Sequence, residues 1–143
     1  MKKVLKKLCF IAVLLSVFSA CEEKPTEFEY SIYNSFENIN AYGREVIIDM
    51  VNCIELDESN IILNKREIGE MQYQDKKTFT VSSVVSSVYV IYRYREMNQS
   101  GTPHDMIYLK TNIYNLNENV SDIKLGYDNL ITEDEFYNLI NNN

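Results

Sequence analysis

Tryptophan is absent from this chain of 143 residues, histidine occurs once, glycine four times and cysteine three times. Each scarcity removes a class of chemistry. A lone His104 and so few thiols cannot assemble a zinc site of the Cys/His type in the mature chain. With so few glycines and no G-x-x-x-x-G-K, G-x-G-x-x-G or G-x-S-x-G run, neither a phosphate cradle nor a nucleophile turn is encoded. His104 and Asp105 are neighbours in the polar stretch MNQSGTPHD and would need a distant serine to form a triad. Asp128, Glu133, Asp134 and Glu135 lack the D-x-D-x-D-G spacing of a calcium loop. Paired carboxylates occur in any acidic domain and single out no glycosidase. The expectation is a protein that is not an enzyme and has no catalytic residue, metal site or cofactor.

What the chain does have begins at its first residue. In MKKVLKKLCFIAVLLSVFSA, Lys2, Lys3, Lys6 and Lys7 precede an uncharged, mainly apolar segment from Leu8 to Phe18. A basic head before an apolar stretch of about 7–15 residues is the pattern of a secretory signal, since a spanning helix needs roughly 20. The segment ends in Phe18-Ser19-Ala20-Cys21, followed by Glu22-Glu23-Lys24-Pro25. Small residues before the cut let a signal peptidase approach the backbone, and this run resembles the lipobox of bacterial lipoproteins.

The resemblance implies that Cys21 is the lipidation site, its thiol taking a diacylglyceryl group as a thioether before the new amino terminus is acylated. Two or more chains anchor stably where one binds marginally. The competing reading is ordinary cleavage after Ala20, with Cys21 left as a free thiol. Glu22 and Glu23 are similar to the surface-export signal of Bacteroidota-type lipoproteins, although here Lys24 follows the acids instead of preceding them. The resemblance therefore implies a lipid-anchored protein of the outer membrane displayed at the cell surface, with the membrane as a partner through Cys21. It covers the first two dozen residues and leaves the domain family open.

Removing residues 1–20 leaves 123, enough for one domain, with residues 21–26 as a lipidated tether and 27–143 as a single β-rich unit. The signal takes four basic side chains and no acid, so the mature part carries 10 Lys and Arg against 21 Asp and Glu, a net charge of −11. Nucleic acid is thereby disfavoured, because phosphates are held mainly by Lys and Arg. The pairs Lys65-Arg66 and Lys76-Lys77 each have acids nearby and read as solvated loops. With Cys9 in the signal and Cys21 given to lipid, only Cys53 remains, flanked by Val51 and Ile54, and a buried inert thiol is expected.

Alternation dominates the rest. Phe28, Tyr30 and Ile32 interleave with Glu27, Glu29 and Ser31, a strand with one apolar face. Arg44 to Val51 is a second strand, with Val46, Ile48 and Met50 as its inward face, and Asn60 to Leu63 a shorter one. Asn64 to Lys77 is polar enough for a mobile connection or an irregular edge. Thr78 to Arg95, TFTVSSVVSSVYVIYRYR, is too long for one strand and predicts a break at Ser82-Ser83 or Ser86-Ser87. Beyond it, Val88, Val90, Tyr92 and Tyr94 are assigned to the core and Tyr89, Ile91, Arg93 and Arg95 to the other face.

Met106 to Asn115 reads as a hairpin and Val120 to Leu125 as a strand with Ile123 and Leu125 inward, the whole forming an antiparallel meander. Thr132 and Glu135 are the first and fourth residues of a capping box, so a short C-terminal helix should dock Phe136, Leu139 and Ile140. The predicted fold is mainly β, a small antiparallel β-sandwich with a short C-terminal helix, and an open α+β layer is the alternative.

Function is less legible. Tyr89, Tyr108 and Tyr114 on the wetter strand faces could contact sugars or proteins, with packing the preferred reading. Three classes compete: a non-catalytic envelope lipoprotein presenting its domain to a protein or glycan partner, an accessory subunit of an outer-membrane assembly using strand edges, and a small hydrolase without a motif. The first is preferred, and the oligomeric state is left open.

Overall fold

The apolar face expected of the first strand is realised, although Ser31 on its other face is buried as well. In the computed structural model, which describes residues 26–36, 45–97, 100–101, 103–116, 122–126 and 128–142, β1 spans Glu27–Asn34 and buries Tyr30 and Ile32 completely. The expected signal segment and the expected lipidation site Cys21 lie outside the described residues. β1 is the middle strand of a three-stranded sheet, paired antiparallel with β4 (Lys76–Ser82) and parallel with β8 (Asp122–Leu125). Tyr30 faces Phe79 across the first pair with ring centroids 5.4 Å apart. Ile123 and Leu125 are fully buried beside it.

A larger sheet has the order β3-β2-β5-β6-β9, formed by Ile62–Met71, Glu45–Leu56, Ser87–Met97, Pro103–Lys110 and Asn129–Leu130. A two-residue β7, Tyr114–Asn115, pairs with β5 alongside β6. The two sheets close on a core to which the small one gives Tyr30, Ile32, Val81, Ile123 and Leu125. The large one gives Ile48, Val51, Cys53, Val88, Val90, Tyr92 and Leu109. Full burial of each large apolar side chain is worth roughly 1.5–3 kcal/mol, so this interlayer is the main source of stability. The fold is a small β-sandwich, rich in antiparallel pairs, with one short C-terminal helix.

The long block from Thr78 to Arg95 breaks where its serines predict. Val85 N donates to Ser82 O at 3.0 Å, and β4 and β5 on either side of this corner enter different sheets. The stretch after Asn64 is the irregular edge strand β3, which loses register with β2 at three places.

Two expectations are corrected. β8 does not extend a meander: the chain leaves the large sheet after β7 and lays β8 parallel to β1, where Ile123 and Leu125 complete the interlayer core. Met50 does not share a face with Val46 and Ile48. The ladder between β2 and β5 passes from Ile48↔Tyr94 to Met50↔Arg93, leaving Asp49 as an extra residue. Such a bulge reverses the parity of the strand, so Val51 and Cys53 continue the inner face while Met50 packs on the outer one.

That outer face is covered by α1, Glu133–Asn141. Thr132 caps it with an extended backbone, its hydroxyl accepting from Glu135 N at 3.1 Å, and Glu133, Asp134 and Glu135 occupy its first turn. Its last turn has no basic residue, and Lys65 of β3 supplies the missing charge by donating to the carbonyls of Ile140, at 3.2 Å, and Asn142. Phe136 is fully buried against Ile54, Leu56, Tyr89, Ile91 and Tyr108. β5 is thus buried on both faces.

Candidate functional site

An edge strand and a helix on the same side of a sheet leave a trough between them. Here the start of β3 and the exposed side of α1 bound an open groove of about 520 Å³. Ile62 and Leu139 give it an apolar floor, Asp134 and Glu135 an acidic rim, and Thr132 and Asn138 hydrogen-bonding groups. Its shape follows from the Thr132 cap, which sets where the helix starts, and from Lys65, which ties the last turn of the helix to β3. Chemically it offers an apolar contact flanked by carboxylates and an amide, suited to recognition.

The ionisable groups gathered elsewhere are occupied with one another. Between the sheets, Glu55 has a side chain only 2% exposed. Its Oε1 accepts from Tyr30 Oη at 2.8 Å and from Arg66 Nη2 at 3.0 Å, and its Oε2 from Asn64 Nδ2 at 2.9 Å. The Arg66 guanidinium also lies over the Phe79 ring, 5.0 Å from its centroid. Tyr30 Oη is 3.0 Å from Cys53 Sγ. Burial pushes the Cys53 thiol up to about 12, the Tyr30 hydrogen bond pulling it partly back. Burial likewise raises Tyr30, with Cys53 and Glu55 adding to the rise. For Arg66 burial acts downward, and the Glu55 hydrogen bond and charge override it to raise the group. A thiol held neutral in this way is a poor nucleophile.

On the helix side, the bulge turns Asp49 towards Arg93, whose Nε and Nη2 donate to the two carboxylate oxygens at 2.9 and 3.1 Å. Arg93 Nη1 reaches Tyr137 Oη on α1 at 2.8 Å, and Arg95 Nε lies 3.5 Å from Asp49. The Asp49 hydrogen bond is the main reason Arg93 is held above its ordinary value. A third junction joins Tyr92 Oη to Asp128 Oδ2 at 2.7 Å and to the Gly126 carbonyl.

The residues singled out in the sequence fall in separate places. Tyr89 is 5% exposed beneath Lys110, whose Nζ is 4.6 Å from the ring centroid. Tyr108 is 8% exposed, its ring packed against Phe136 and Tyr137. Tyr114 packs at the margin of the interlayer core. They are cores and covers, and form no shared patch. Asp128 is bonded to Tyr92, apart from the acids of the first turn of α1, and no cluster of three metal-ligating side chains occurs among the described residues. The side chains of His104 and Asp105 lie outside the described residues. The groove escaped the sequence because Ile62 and Leu139 are distant in the chain and neither carries a local signal beyond apolarity.

Comparison of the chain with protein-family models, with curated proteins and with solved structures returns no significant match. Among the described residues no helix is long and apolar enough to cross a membrane.

Proposed function

We propose that this chain is a non-catalytic cell-envelope lipoprotein, anchored to the outer membrane by lipid on Cys21, that presents its small β domain to a protein or glycan partner. The observation that carries the reading is the shortness of the lead into the fold: β1, the central strand of its sheet, begins at Glu27, six positions after Cys21. At ~3.3 Å per extended residue such a tether spans roughly 20 Å, so an anchored domain stays beside its membrane. The commitment of Glu55, Asp49 and Asp128 to internal hydrogen bonds favours binding over general acid–base chemistry. The groove between β3 and α1 is the surface offered to the partner, and its acidic rim suits one that brings basic or hydroxyl groups.

Metabolic labelling tests the anchor. Fatty-acid incorporation disappears in Cys21→Ser, and unchanged incorporation refutes the reading. Replacing Glu22 and Glu23 by Ala lowers protease accessibility in intact cells if these acids direct display. Capture of the lipidated protein from its native envelope, repeated with Leu139→Asp, tests the groove.

A further inference from the structure

The end of the sandwich from which the tether emerges carries exposed aliphatic side chains on its turns. Ser83 N donates to Thr26 O at 2.9 Å, which places the β4–β5 corner against the start of β1. Ser86 N at the same corner donates to Leu56 O at 2.8 Å, and Asp57 N to Ile61 O at 3.0 Å, so the β2–β3 turn closes the same end. Asp57 Oδ1 accepts from Ser59 N and Ile61 N, and Asn60 adopts a positive φ of 62° to complete the turn. On these two turns Val84 is 63% exposed and Ile61 61%, and Leu63 at the start of β3 is 43% exposed; the exposed Leu130 lies apart, on β9. The opposite end is marked by the β3–β4 turn, where Asn34 N, at the far terminus of β1, donates to Asp75 O at 2.9 Å; Tyr73 stands there, 39% exposed.

We propose that the Val84 and Ile61 turns form a membrane-contacting tip, inserted at the headgroup boundary of the bilayer in which Cys21 is anchored. This rests on the anchoring reading and adds an orientation to it. The short chain between Cys21 and Thr26 leads to this end, so lipid is the surface these side chains meet. Two aliphatic side chains on tight turns match the shallow depth of about 5–10 Å at which peripheral proteins bury apolar groups. Asp57 and Glu58 on the same turn select a zwitterionic surface over an anionic one. The tip turns the Tyr73 end outward and brings the groove beside Ile62 near the bilayer, so a partner is met close to the membrane.

The absence of tryptophan makes each single substitution a unique fluorescent reporter. Mature protein purified from its host, carrying Ile61→Trp, Val84→Trp or Tyr73→Trp, is placed in phosphatidylcholine–phosphatidylethanolamine vesicles with brominated acyl chains. Quenching of about twofold or more is expected at positions 61 and 84 and none at 73, as burial at the interface requires. Equal quenching at all three positions, or none at 61 and 84, overturns the proposal. A blue shift at 61 and 84 without bromine quenching overturns it in favour of a second protein copy. The mass of the N-terminal peptide reports the anchor separately. If it shows no lipid, quenching at 61 and 84 in excess vesicles still supports the tip, whereas its loss there defeats both readings.

Discussion

The Tyr30 hydroxyl donates to Glu55 Oε1 at 2.8 Å across the interior of the sandwich, joining the central strand of the small sheet to β2 of the large one. Glu55 is 2% exposed and depends on Arg66, itself 35% exposed, for its counter-charge. Removing one member of such a pair strands the other. Arg66→Met is expected to destabilise the fold by about 2–4 kcal/mol and Tyr30→Phe by about 1 kcal/mol. Urea denaturation measures both, and a Glu55→Gln, Arg66→Met cycle isolates the coupling.

Cys53 supplies a pH dependence. Its thiol is raised by burial from 9.0 to about 12 in the folded chain. An acid whose folded pKa is raised keeps its proton longer in the native state, so this stability is complete below pH 9 and is lost as pH rises towards 12. The unfolding free energy should fall in that window by up to about 1.4 kcal/mol per pH unit, and less steeply in Cys53→Ala, as urea denaturation at each pH measures. Tyr30 and Tyr92, both raised chiefly by burial, leave a residual slope of the same sign. At pH 8 alkylation of Cys53 should follow the rate of opening, and fast alkylation of native protein would contradict the buried placement.

Asp49 holds two arginines at the bulge. Asp49→Ala leaves Arg93, with a side chain only 15% exposed, uncompensated beside α1. The expected cost is about 2–3 kcal/mol, with amide exchange accelerated in α1 more than in β1. Equal acceleration in both elements would show that the contact does not act through Tyr137.

Thr132→Ala removes the oxygen that accepts from Glu135 N. A loss of about 1 kcal/mol is expected, recovered in large part by Thr132→Ser. Thermal melts of the two variants provide the check.

Alternation was the legible part of this chain. β1, the inward row Val88, Val90, Tyr92 and Tyr94, and the Ile123–Leu125 pair follow from period two, and the capping box locates α1 without any tertiary contact. Tyr89 and Ile91 do share the face opposite that row, but its burial under α1 is not legible, because a strand buried on both sides carries no polar alternation to announce it. The Asp49 bulge was invisible because one extra residue in REVIIDMV becomes an irregularity only when a partner strand sets the register.

Local chemistry alone therefore determined the strand-rich character, the terminal helix and the acidity of residues 21–143. Tertiary structure decided which strands share a sheet, that β8 runs parallel to β1, and that Glu55, Arg66 and Tyr30 meet. The division is physical: periodicity and capping act within a few residues, whereas sheet order and buried charge pairing join positions whose sequence separation leaves no local mark.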